Sequence, residues 1–214
     1  MSSMLLVDAN KRRKEAPLKR RFARTMFPCL LLALTGCTVA PWSSSVTGEG
    51  AHVKPVGAYA IANIKPWLSD PVVVNAVKAQ NVDTAKLKDI EINRLDIGWM
   101  DRSNRALIDS RMNNGLSTFL QKKKEAGNGV IFEIFVFDMK GLNVGQTDLT
   151  QDYNQGDEAK YCKTYQVGPD AIFVDKVAKD KDRNVSQVSL TIKDPATGQA
   201  IGAVTVGIDM DRLK

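Results

Sequence analysis

From Ser69 onward the apolar positions recur with two periods. Ser69-Asp70-Pro71 is a helix start, a cap residue followed by proline at the first helical position, and Val73, Val74 and Val77 continue it as one stripe. Asp83 is positioned to cap a second helix carrying Leu87, Ile90, Leu95 and Trp99. The strongest helical signal runs from Asp101 to Ala126. Ile108, Met112, Leu116 and Phe119 follow one another at spacings of four, four and three, which puts them on one face. Gly127-Asn128-Gly129 ends it, and Lys122, Lys123 and Lys124 fall in its last turn, where the helix dipole favours cations. Beyond Gly129 the period becomes two. The stretch 130–138, VIFEIFVFD, is a strand rich in β-branched and aromatic residues. MKG is a turn, and 142–146 pairs back as a hairpin. A short helix is predicted over 156–165, with Asp157 and Glu158 in its first turn. Strands follow at 172–178, 184–193 and 199–210, the last two joined by DPATG, in which Pro presets φ and Gly permits a positive one. Helices first, then an antiparallel sheet with one helical insertion, define an α+β chain.

Alternation sorts the strand residues into faces. Val188, Leu190 and Ile192 face one way, and Gln187, Ser189 and Thr191 the other. On 130–138, Ile131, Glu133, Phe135 and Phe137 oppose Phe132, Ile134 and Val136. A sheet covered on both faces can pack helices on one and hold a pocket on the other.

The charge does not point to nucleic acid. The chain carries a formal +6, but residues 1–36 hold eight of its 30 basic residues and two of its 24 acidic ones, so 37–214 is formally neutral. The cysteines are Cys29, Cys37 and Cys162, and the single histidine is His52. A Cys/His zinc site of four ligands is therefore excluded, and no disulfide framework forms within the body. Hydrophobic content of 43% is that of a folded domain.

Met26 to Leu34 is apolar but far shorter than the roughly 20 residues that span a bilayer. The basic stretch before it, its length and the small residues that end it are those of a secretory signal. The site Leu34-Thr35-Gly36-Cys37 resembles the bacterial lipobox, although 25 residues before Met26 make a long basic region. The resemblance implies cleavage ahead of Cys37, a diacylglycerol thioether on its sulfur and anchoring by two or three acyl chains. The competing reading is a core cysteine after an apolar helix. Thr38, rather than aspartate, at the next position implies the outer membrane in a Gram-negative envelope, at its periplasmic face. The expected organisation is a signal peptide over 1–36, a flexible tether over 37–64 that holds a solvated His52, and one domain over 65–214.

That domain resembles the extracytoplasmic Cache, or PDC, sensor family, which has a PAS-like sheet. The residues that carry the resemblance are FVFDMKG (135–141), TDLTQDYNQGDEAK (147–160), the closing strands VSLTIKDPATGQAIGAVTVGID (188–209) and RLDIGWM (94–100). The resemblance covers roughly 65–210. It implies an antiparallel sheet packed by a long N-terminal helix, with a small-molecule pocket between the sheet and its inserted loop and helix. It also implies an output through movement of the terminal helices. Since the sequence ends at Lys214 without a signalling domain, the expected output partner is a separate membrane protein. The amino-acid-binding motif of the double-domain relatives is not evident.

The pocket rule, apolar walls with a few directed polar groups, selects Tyr153, Asp157, Tyr161, Tyr165, Phe173, Asp175, Gln187 and Ser189 as ligand-binding residues. Each has a plainer reading beside it: Tyr161 and Tyr165 as core, Asp157 as a helix-start acid, Gln187 and Ser189 as solvent-facing. Two functions compete, a sensor lipoprotein that binds a small molecule, and an envelope structural or interaction lipoprotein whose pocket is filled. No catalytic residues, metal ligands or cofactor are expected. Cys162 has no histidine in the body as partner, and the acids at 148, 152, 157 and 158 lack EF-hand spacing.

Overall fold

The computed structural model describes residues 45–180 and 182–214. The expected signal peptide, Cys37 and Thr38 lie outside them. The described residues form an α+β fold whose sheet has seven strands: β1 (Val46–Thr47), β2 (Ile131–Asp138), β3 (Asn143–Gln146), β4 (Ile172–Val174), β5 (Ala178–Asp180), β6 (Arg183–Lys193) and β7 (Ala200–Asp209). The order is β1-β4-β6-β7-β2-β3, with β5 pairing the outer part of β6. Every pair is antiparallel except β1 with β4.

One face of the sheet is aliphatic. Ile134, Val136, Val188, Leu190, Ile192, Val204, Val206 and Ile208 bury against a helical layer that contributes Val56, Ala60, Ile64, Trp67, Val73, Val77, Leu116 and Leu120. Ile131 joins this cluster although its alternation with Glu133 assigned it to the other face. A bulge between Ile131 and Glu133 turns it over, because one extra residue reverses the facing of everything before it.

The helical layer differs from the sequence expectation in three places. Residues 53–67, expected as tether up to 64, are helical: α1 (Val53–Tyr59) runs on through a π turn (Ala60–Ile64) into a 3₁₀ turn (Lys65–Trp67). Val56, Ala60 and Ile64 recur every four residues and are fully buried. Pro55 sits in the first turn, where a missing N–H breaks no helical bond. Gly57 is required, because a Cβ there would stand 2.7 Å from Val46 Cγ1. Second, α2 (Pro71–Thr84) starts as expected, with the Asp70 carboxylate accepting the Val72 N–H at 2.9 Å, but it continues through Asp83. The next helix, α3 (Asp89–Met100), begins after Lys88, whose N–H donates to Glu91 Oε2 at 2.9 Å. Third, the single helix expected over 101–126 is two, α4 (Arg105–Met112) and α5 (Gly115–Ala126). Asn114 divides them. Its side chain accepts from Ser117 N at 2.8 Å while donating to Ser110 O and Val144 O. Ile108 and Met112 consequently pack with Trp99, Leu142 and Tyr153, while Leu116 and Phe119 pack on the main core.

Between β3 and β4 the chain crosses the second face of the sheet. Regular helix there is confined to α6 (Ala159–Cys162). The strand expected over 172–178 splits into β4 and β5, and the chain bows outward between them.

Candidate functional site: a polar cleft on the open face of the sheet

The second face is built from the alternate residues of the same strands. Cross-strand register lines up Phe173, Ser189, Thr205, Phe135 and Gln146 in one row. The Ser189 and Thr205 hydroxyls bond each other at 2.8 Å. The next row is Gln187, Gly207 and Glu133. Gly207 matters because a Cβ there would lie 2.8 Å from Glu133 Cγ. Without that side chain Glu133 leans across β7, and its Oε1 accepts a hydrogen bond from Gln187 Nε2 at 2.9 Å.

The two ends of this face are treated differently. At one end Tyr161 and Tyr165 stack 5.4 Å apart over Phe137 and seal it. Towards Glu133 the face stays open. The loop returning from β3 forms one wall there, and the bow between β4 and β5 forms the other. The result is a cleft of about 560 Å³ with Phe132, Phe135 and Leu149 as apolar surface and Gln155 and Gln187 as amides. Its lining holds five carboxylates, Glu133, Asp152, Glu158, Asp175 and Asp180, against two lysines, Lys160 and Lys176.

Burial raises the pKa of Glu133, partly offset by the Gln187 hydrogen bond and by Lys160. Burial also raises that of Asp152, and Asp96, Glu158 and Asp157 add to the effect. Lys160 is held in place from three sides. Its Nζ lies 2.8 Å from Glu158 Oε2, 3.3 Å from Gln155 Oε1 and 5.2 Å from the Phe135 ring centre. The site therefore offers apolar walls, fixed amides and an excess of carboxylates, and it suits a small solute that brings hydrogen-bond donors or positive charge. Among the described residues no three His, Cys, Asp or Glu side chains cluster in a way that could hold a metal ion.

Two of the residues selected from sequence, Asp175 and Gln187, line this cleft. The others lie elsewhere. Tyr153 is buried behind the loop, its ring 5.5 Å from Trp99, and its N–H donates to Asp96 Oδ1. Tyr161 donates its hydroxyl to Met139 O at 2.8 Å, and burial pushes the phenol up to about 12. Tyr165 stacks on it. Ser189 is closed off by Thr205, and Asp157 is exposed beside the cleft without lining it. Phe173 lies under Lys163 Nζ at 4.3 Å and lines a separate depression of about 480 Å³ at the β1–β4 edge. The cleft residues that sequence reasoning missed are Glu133, Asp152, Gln155 and Lys160. Glu133 had a visible signal, one charge inside an otherwise apolar strand. The other three depend on where the loop folds back.

His52, read as solvated, is bonded. Its Nε2 lies 2.9 Å from the carbonyl oxygen of Asp175, which also accepts from Ser186 Oγ at 2.8 Å. The segment from β1 to His52 thus straps the outer edge of β4 and reaches the wall of the cleft.

No family model matches the sequence, and no curated protein matches it. The solved structures it is similar to include bacterial sensor domains. The DcuS sensor domain of E. coli is 14% identical, covers 74% of this chain and 93% of that one, and has a TM-score of 0.47. The sensory domain of the Campylobacter jejuni chemoreceptor Tlp3 is 16% identical over 73% of this chain and 66% of that one, with a TM-score of 0.37. The ligand-binding domain of the Pseudomonas aeruginosa amino acid chemoreceptor PctC, in complex with GABA, is 13% identical over 76% and 62%, with a TM-score of 0.33. The chain spans about two thirds of the length of these two chemoreceptor domains.

Proposed function

We propose that this chain is a ligand-binding sensor lipoprotein of the cell envelope, held at the periplasmic face of the membrane by acylated Cys37. It reports the presence of a small molecule to a separate membrane protein. The observation that carries the reading is the cleft between the open sheet face and the returning loop, with Glu133 and Gln187 bonded across Gly207 at its floor. An open cleft with apolar walls and a few directed polar groups is the form of a small-molecule site. Its carboxylate excess favours a ligand with an amine or other cationic group, and Gln155 and Gln187 supply direction. Occupancy would draw the loop wall towards the β4–β5 bow, and a ligand that prefers the closed arrangement shifts the population towards it.

The test is a thermal-shift and calorimetric screen of amines, amino acids, carboxylates and nucleobases against the full chain in detergent. A cationic or zwitterionic hit that binds wild type and fails with Glu133→Gln or Gln187→Ala supports the reading. No hit in any class would leave the envelope interaction protein as the better account. The anchor is tested separately by mass spectrometry of the mature amino terminus, and a Cys37→Ser variant that stays with membranes after its signal is removed overturns it.

A further inference from the structure

The sequence contains two Asn-Gly pairs, Asn114-Gly115 and Asn128-Gly129. Such a pair is open to attack by the glycine nitrogen on the asparagine side-chain carbonyl carbon, because glycine has no side chain to block the approach. The fold treats the two pairs in opposite ways. Asn114 caps α5. Its Oδ1 accepts from Ser117 N at 2.8 Å, and its Nδ2 donates to Ser110 O at 2.9 Å and to Val144 O at 2.8 Å. Its Cγ cannot turn towards Gly115 N without giving up these bonds. Asn128 instead lies in the exposed turn between α5 and β2, at φ 48° with Gly129 at 84°. Val130 N donates to Gly127 O across this turn at 2.9 Å. The Asn128 side chain and the Gly129 N–H have no hydrogen-bond partner among the described residues. Arg212 lies against Gly129, where a Cβ would stand 2.7 Å from its Nη1, and Asp209 Oδ2 holds that guanidinium with Nε at 3.5 Å. A cation beside the Gly129 nitrogen favours loss of its proton.

We propose that Asn128-Gly129 is a site of spontaneous deamidation, from which the fold protects Asn114-Gly115. Gly129 N gives its proton to solvent base and bonds to Asn128 Cγ. The Cγ–Nδ2 bond then breaks, and Nδ2 takes up a proton and leaves as ammonia. Water opens the resulting cyclic imide on either side. The product is aspartate, or isoaspartate, in which the main chain runs through the former side chain. The net reaction consumes water and turns an amide into a carboxylate and ammonium, with no oxidant and no cofactor. Either product places a negative charge at the carboxyl end of α5, where the helix dipole opposes it. The isoaspartyl form also lengthens the main chain by a methylene. This breaks the turn closed by Val130 N and Gly127 O and loosens the entry to β2. The pair is thus a clock set into the connection between the helical layer and the sheet. Nothing in this inference depends on what the cleft binds.

The experiment incubates the full chain in detergent at mildly alkaline pH, folded and in denaturant, and follows deamidation by mass spectrometry and isoaspartyl methylation. Trypsin places the two pairs on separate peptides, 112–122 and 125–140. In the folded chain Asn114 is expected to convert at least roughly tenfold more slowly than Asn128, because its hydrogen bonds must all be given up first. In denaturant the two peptides are expected to convert at similar rates. Asn128→Gln should abolish conversion of the 125–140 peptide, since the larger ring forms far more slowly. The aged protein should have a lower thermal midpoint than fresh protein, and aged Asn128→Gln should not. Arg212→Gln should slow Asn128 several-fold in the folded chain and leave the denatured rate unchanged; an equal folded rate overturns the part given to Arg212. Equal conversion of the two pairs in the folded chain overturns the proposal. So does an Asn128 that stays intact over a period in which the denatured chain converts both.

Discussion

The two faces of the sheet come from the same four long and short strands, β2, β4, β6 and β7, read one residue out of step. On one face Ile134, Val136, Val188, Leu190, Ile192, Val204, Val206 and Ile208 meet the helices and are buried. On the other, Glu133, Gln187, Ser189, Thr205 and Gly207 replace aliphatic residues, and only the end beneath Tyr161 is packed with rings. The first face supplies the stability that lets the second carry polar side chains bonded to one another. A strand thus encodes both scaffold and site, and a slip of one residue would exchange them.

The sharpest way to break the contrast is to damage each face in turn. Leu190→Ala, on the helical face, removes the packing of three buried carbons and is expected to cost about 2–5 kcal/mol in chemical denaturation, without a specific effect on ligand affinity. Gly207→Val, on the open face, forces Glu133 away from Gln187. It is expected to cost about 1–3 kcal/mol and to abolish ligand-induced thermal shifts. A loss of affinity with Leu190→Ala and not with Gly207→Val would reverse the assignment of the faces. Asn114→Ala removes the cap that separates α4 from α5 and is expected to cost about 1 kcal/mol, with the cleft unaffected.

The smallest effect is the most diagnostic of the open face. Glu133 is a carboxyl whose folded pKa is raised by burial, so the folded state holds its proton more tightly than the unfolded chain does. Its contribution to stability is complete below the ordinary value of 4.5 and is lost as pH rises through the raised folded value. Glu133→Gln keeps the acceptor for Gln187 without ionising. The variant should match wild type under acid conditions and gain on it as pH increases, read from denaturation midpoints at a series of pH values. A gap that narrows with rising pH would mean that Glu133 is stabilised as its anion.

Much of this architecture was legible in the sequence because it rests on period. The strands 131–138, 183–193 and 200–209, the hairpin at Lys140-Gly141 and the start of α2 at Asp70 follow from alternation, turn chemistry and capping. Tertiary competition hid the rest. Asn114 lies inside an apolar pattern that suits one helix, and only its bonds to Val144 O and Ser110 O make a break preferable. Pro55 and Gly57 are residue types common in turns, whereas the spacing of Val56, Ala60 and Ile64 was the better guide. Of the residues selected from strand position, Asp175 and Gln187 line the cleft. Tyr161 and Ser189 satisfy the same rule but are spent on internal bonds, and Tyr153 is buried against Trp99, which no pattern along the chain reveals.

The strap formed by β1 and His52 also gives the domain a mechanical polarity. Tension on the chain ahead of Ser45 would load first the two-residue parallel pairing of Val46 and Thr47 with Ile172 and Phe173, then the His52 contact to Asp175 O. The amino-terminal strap and the wall of the cleft are therefore one load path, and the strap acts as a fuse in front of the sheet. In single-molecule pulling from the amino terminus, the strap should release in a separate low-force step before the sheet unfolds. His52→Ala should lower that step and leave the main rupture unchanged, while a single rupture in both proteins would show that the strap bears no load of its own.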